Sequence, residues 1–97
     1  MSSITISIKK EAGTFAENKD IAREVRVKGI MPALSKNKTV ILNFSGVTGA
    51  TQSFIHALIS DVIRHYGEDV FDKLRFKDCS PVVREVVTIV SDYMQET

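Results

Sequence analysis

Five residues, Val40-Ile41-Leu42-Asn43-Phe44, are almost unbroken in apolar character. A run of this length reads as a strand buried on both faces, as in the middle of a parallel sheet. The run gives way to a loop of small and hydroxyl residues, Ser45-Gly46-Val47-Thr48-Gly49-Ala50. After the loop, Phe54, Ile55, Leu58, Ile59, Val62, Ile63 and Tyr66 recur at helical spacing. They predict an amphipathic helix over about 51–66 with a wide apolar face, closed by Gly67. Strand, hydroxyl-rich loop and helix N-terminus together make an anion site or a phosphorylatable switch. The rest of the chain is read around this stretch.

Upstream, Ile4, Ile6 and Ile8 alternate with Thr5, Ser7 and Lys9, which predicts a half-buried edge strand over 4–9. Residues 10–18 read as a loop, with Phe15 tucked onto the core. A first helix starts near Asn18 or Asp20, either of which can cap it. Its stripe is Ile21, Val25, Ile30, Met31 and Leu34, and Pro32 lies within it. A proline inside a helix removes a hydrogen bond and clashes with the preceding turn, so a kink or break is expected near Gly29 to Met31.

Downstream, residues 68–72 read as a turn of helix or a loop. Leu74 and Phe76 then alternate with Lys73, Arg75 and Lys77, as in another half-buried strand with a basic outer face. Ser80-Pro81 opens the last helix, serine as N-cap and proline at the first helical position. Val83, Val86, Val87 and Val90, with Tyr93 or Met94, form its core stripe. Strands alternating with helices imply an α/β fold. We expect a single small domain over 1–97, with a mixed, mostly parallel sheet of three to four strands and three main helices, chiefly on one side.

Composition limits function. Thirteen basic residues against twelve acidic leave a net charge of +1, which argues against a nucleic-acid partner. The basic residues of 73–77, with Lys9 and Lys10, read instead as a solvated strand edge. One cysteine, Cys79, cannot form an internal disulfide and favours a cytoplasmic setting. No run approaches the roughly 18 apolar residues of a membrane span, and the first residues show no signal peptide. His56 and His65 are nine apart on one helix and therefore on different faces, so no metal site is expected.

The residue types at the central loop admit several chemistries. Ser53 and Thr51 can accept a phosphate; equally, Thr51 can serve as the N-cap and Ser53 as a plain first-turn residue. Gly46 and Gly49 could cradle a phosphate, but no lysine succeeds them in the P-loop manner, and a tight turn explains them as well. Cys79 precedes a helix start, where thiols are activated, yet no histidine is placed to act as its base. Without an acid–base pair, metal constellation or oxyanion motif, a non-enzymatic chain with no cofactor is expected.

Val40 to Thr48, together with Thr51-Gln52-Ser53-Phe54, resembles the core of STAS-like domains, relatives of bacterial anti-sigma-factor antagonists. In that family a strand ending in an Asp-x-Ser-x-Val-type segment leads through a loop to a helix starting at Asp-Ser-Ser-Gly. A STAS-like subfamily with a Ser-Phe pair at the helix start is the nearer match, carried here by Ser53-Phe54. The resemblance spans roughly 20–95. It implies a regulatory module that docks a GHKL-type ATPase or kinase, or an anti-sigma-like protein, and is released by serine phosphorylation at the helix N-terminus. Carried over, the site is Ser45, Gly46, Thr48, Gly49, Thr51, Gln52, Ser53 and Phe54. Thr51 stands where the family has Asp, Gln52 at the usual phosphoacceptor serine, Ser53 at the second serine, and Asn43 at the acidic strand end. Two further expectations stay open: the same loop could sense a small ligand or nucleotide, and the wide helix faces could pair two copies of the chain.

Overall fold

The computed structural model describes residues 2–96, the last two by backbone alone. Met1 and Thr97, the ends of the expected domain, lie outside the described residues. Three strands, β1 (Ser3–Ser7), β3 (Thr39–Asn43) and β5 (Leu74–Lys77), form one all-parallel sheet in the order β1-β3-β5. Strand β2 (Phe15–Ala16) pairs in parallel with β4 (Gly49–Ala50) as a separate two-stranded ladder. The helices are α1 (Ile8–Ala12), α2 (Lys19–Val25), α3 (Met31–Ser35), α4 (Gln52–Tyr66) and α5 (Pro81–Glu96). A π-helical turn, Arg26–Ile30, joins α2 to α3, and a 3₁₀ turn, Glu68–Asp72, leads from α4 to β5. The architecture is the expected α/β fold.

Register assigns the sheet faces. Ile4, Val40 and Leu74 are neighbours across the three strands, as are Ile6, Leu42 and Phe76. This is the covered face, where Val40 and Leu42 are wholly buried. Thr5, Ile41 and Arg75 share the opposite face, with Ser7, Asn43 and Lys77 beside them. Ile41 and Asn43 are half-buried while Thr5, Arg75 and Lys77 are exposed. The central strand is therefore buried on one face, not two. Its apolar run misleads because Ile41 lies on an otherwise polar surface and carries that face alone.

Helix α4 is the centre of the helical layer. It packs on α2 on one flank and α5 on the other. That position explains its wide stripe: Phe54, Ile55, Leu58, Ile59, Val62 and Ile63 are all buried. Gly67, at φ 80°, ends it and donates to the Ile63 carbonyl at 2.7 Å. In α5 the buried positions are Val83, Val87, Val90 and Met94. The stripe thus closes on Met94, leaving Tyr93 60% exposed.

Two segments differ from expectation. The first strand stops at Ser7, whose hydroxyl accepts from the Lys10 N–H at 3.2 Å and starts α1. Ile8 is still buried, because a helical turn carries it inward where a strand would have done so by alternation. The expected loop 10–18 thus holds the end of α1 and all of β2. Phe15 is 52% exposed, and it is Ala16 that enters the core. Around Pro32 the expected kink or break is a π-helical turn, Arg26–Ile30, followed by the short α3. The Met31 N–H reaches back five residues to the Arg26 carbonyl, so the helix widens before the proline and then continues.

Candidate functional site

Four backbone donors of the loop between β3 and α4, those of Ser45, Val47, Thr48 and Thr51, are held by hydrogen bonds. Asn43 Oδ1 accepts from the Ser45 N–H at 2.9 Å. The Val47 N–H donates to the Phe44 carbonyl at 2.9 Å, closing a turn at Gly46, whose φ of 82° favours glycine. Thr48 donates twice to the Thr14 carbonyl, from N–H at 2.7 Å and from Oγ1 at 3.1 Å. The Thr51 N–H donates to the Ala16 carbonyl at 3.0 Å. Val47, nearly fully buried, plugs the loop into the core. Within the Gly46–Gly49 segment the Val47 and Thr48 donors are thus committed to the fold and not to a phosphate cradle. Gly49 has its own reason: a Cβ there would stand 2.8 Å from the Phe15 ring.

Helix α4 begins on this anchored platform. Thr51 Oγ1 accepts from the Phe54 N–H at 3.1 Å, and the Thr51 carbonyl accepts from Ile55 at 3.1 Å. Thr51 is thus the N-cap. Phe54 is completely buried, so its side chain belongs to the core and offers no surface to a partner. Gln52 and Ser53, between cap and anchor, are exposed. Their N–H groups are among those a helix leaves without intrahelical partners.

Gln52 and Ser53 open onto a groove of about 670 Å³ between α2, α4 and α5. None of Ser45 to Thr51 lines it. Its cationic residues are Lys19, Arg23, Arg26 and Arg64. Arg26 is fixed: Nη1 donates to the Ala57 carbonyl at 2.9 Å and pairs with Asp61 Oδ2 at 3.1 Å. Asp61 Oδ1 holds Arg64 at 3.0 Å. His56 lines the same groove, while His65 is exposed with its ring edge-on to Tyr66 at 4.6 Å. The two histidines are on separate surfaces, and among the described residues no group of three or more His, Cys, Asp or Glu could hold a metal ion.

Sequence reasoning misses the cations on α2. It also misses the β2–β4 ladder, which pairs Ala16 with Ala50 and so aligns the segments leading into α2 and α4. A two-residue strand such as Phe15–Ala16 is too short to leave a periodic signal.

Cys79 lies elsewhere, beside a smaller cavity of about 400 Å³ lined by Phe71, Phe76 and Arg84 among others. Burial pushes its thiol pKa up; Arg84 pulls it down and Asp78 adds to the rise. The protonated thiol is favoured, the opposite of what a nucleophile needs. Of the basic residues near β5, Arg75 and Lys77 share the open sheet face and Lys73 precedes the strand. Lys9 is in α1, its side chain lying over Gly46. No helix among the described residues is long and apolar enough to cross a membrane.

Residues 22–84, nearly two thirds of the chain, match the family model described as a STAS-like domain of unknown function (DUF4325). The match begins within α2 and ends in the first turn of α5, so it contains the whole loop and α4. No curated protein and no solved structure matches the chain.

Proposed function

The chain belongs to the STAS-like domain family, and from that premise we propose that it is a non-enzymatic regulatory interaction module. It docks a protein partner, by family resemblance a GHKL-type ATPase or kinase, through the loop and the start of α4. The observation that carries the reading is the pairing of exposed Gln52 and Ser53 with a platform locked beneath them by Val47 and Phe54. A rigid base with two exposed polar residues suits recognition, because little ordering is needed on binding. Ser53 is the phosphoacceptor of choice. Its hydroxyl is exposed near a helix N-terminus, where added negative charge is stabilised. Thr51 is the poorer acceptor, since its hydroxyl already caps Phe54.

The test is capture of purified GHKL-type ATPases by the full chain, with and without ATP, and phosphosite mapping by mass spectrometry. We expect a complex that ATP dissolves, with phosphate on Ser53, and a Ser53→Ala variant that binds but is not released. Wild-type binding and release by Ser53→Ala and Thr51→Ala would end the switch reading. A small-ligand sensor is the second reading. One observation favours it: the groove falls within the roughly 300–1,000 Å³ of small-molecule sites. Nucleotide titration monitored by NMR separates the two, since a sensor shifts groove resonances with no partner present.

A further inference from the structure

We propose that the groove between α2, α4 and α5 receives an acidic, amphipathic helical segment of the partner. This rests on the docking reading above and extends it from the loop to the whole face of α4. Charge is the first argument. Lys19, Arg23, Arg26 and Arg64 face one carboxylate, Asp61, in a chain whose total is only +1. Asp61 is already shared between Arg26 and Arg64. Among the described residues Arg23 is paired only with Asp20, at 3.4 Å, and both side chains are more than half exposed. Exposed pairs of this kind exchange partners at little cost. Among the described residues Lys19 has no ion-pair partner.

Shape is the second argument. The groove runs along α4 from Gln52 to Arg64, a distance of about 18 Å at the helical rise per residue. That length accepts about three turns of a second helix. Ala57 and Ser60 floor the path as small residues, with Ser60 almost wholly buried, so no long side chain of α4 interrupts it there. Chemistry of the far wall is the third. Helix α5 presents Ile89, 44% exposed, and Tyr93, 60% exposed, to the same groove. A purely anionic ligand has no use for this apolar wall. A segment with carboxylates toward α2 and an apolar row toward α5 satisfies both sides.

The test uses the isotope-labelled full chain and two synthetic helical peptides. One carries Glu on one face and Leu on the adjoining face; the other has Lys in place of each Glu. The Glu peptide is expected to shift resonances of Arg23, Ala57, Arg64 and Tyr93, and to bind more weakly as salt is raised. Arg23→Glu and Arg64→Glu, checked for folding by circular dichroism, are expected to weaken it about tenfold each. Equal binding of the Lys peptide, shifts confined to the open sheet face, or self-association through the groove without peptide would each overturn the inference. Capture of the ATPase partner distinguishes the two readings. Loss with Ser45→Arg but not with Arg23→Glu or Tyr93→Ala overturns the groove while the loop reading stands. Loss with the groove substitutions supports the groove even if Ser45→Arg has no effect and the loop reading fails.

Discussion

Two helix starts in this molecule share a cap and an anchor and differ in the residues between them. Where β3 leads to α4, Thr51 Oγ1 accepts from the N–H of Phe54, three residues on. Where β5 leads to α5, Ser80 Oγ accepts from the N–H of Val83, again three residues on, at 3.3 Å. Phe54 and Val83 are both completely buried. Cap and anchor are therefore the common structural device. The two residues between them are Gln52-Ser53 in one helix and Pro81-Val82 in the other. Proline has no N–H to offer, and Val82, 57% exposed, has no polar group in its side chain. The hydroxyl N-cap thus says nothing about function; the first and second helical positions carry the difference.

The largest expected effect tests the shared half of the device. Phe54→Ala empties a core site and should destabilise the fold by about 3–5 kcal/mol. Val83→Ala should cost less, because fewer atoms leave the core. Urea unfolding of both variants checks this. A Phe54→Ala cost under that of Val83→Ala would show that the α4 junction is not the better-anchored one. Next in size are the caps. Thr51→Ala and Ser80→Ala should each cost about 1 kcal/mol, which moves the melting temperature by about 4–8 °C in a domain of this size. Near-equal shifts, with partner capture unchanged by Thr51→Ala, would confirm that the cap is purely structural. Weakened capture at unchanged stability would give the Thr51 hydroxyl a role in binding that Ser80 lacks.

Much of this is legible in the sequence, and the reasons are local. Periodicity places the core of α4 because its stripe repeats over four turns, and Ser80-Pro81 marks α5 because cap and first position have opposite donor needs. Phe54 reads as part of the docking site because it adjoins Ser53 along the chain. Helical geometry turns neighbours about 100° apart, so one is core and the other surface. The double burial of β3 fails for a different reason. Apolar character at Ile41 does not reveal that Thr5 and Arg75 flank it, since those pairings join residues more than thirty positions apart. The groove cations are unreadable on the same ground. Arg26 on α2's extension meets Asp61 on α4 only through tertiary packing.

The β5–α5 junction makes a pH prediction the other does not. The Cys79 thiol pKa is raised by burial above its ordinary 9.0. A raised folded value means the folded state holds its proton more tightly than the unfolded chain does. Its stabilisation is complete below about pH 9 and is lost as pH rises through the folded value. Cys79→Ala should therefore flatten the alkaline limb of the stability curve. Disulfide reagents should label the native thiol slowly at neutral pH. Fast labelling there would show a reactive thiolate at this junction, against the raised thiol pKa.

The smallest effect is the most discriminating. Ser53 and Val82 are both second helical positions and both exposed. Placing Asp at either adds a negative charge near a helix N-terminus, worth about 0.3–1 kcal/mol. Were the dipole the whole story, Ser53→Asp and Val82→Asp would stabilise equally and lose the gain equally in salt. Ser53 also lines the groove of Lys19 and Arg23, whereas Val82 lines neither cavity. Ser53→Asp should thus gain more at low ionic strength, and it alone should weaken binding of a Glu-bearing peptide, by occupying the cations the peptide needs. Identical thermal shifts and identical peptide affinities for the two variants would reduce the α4 junction to the plain helix start that α5 already has.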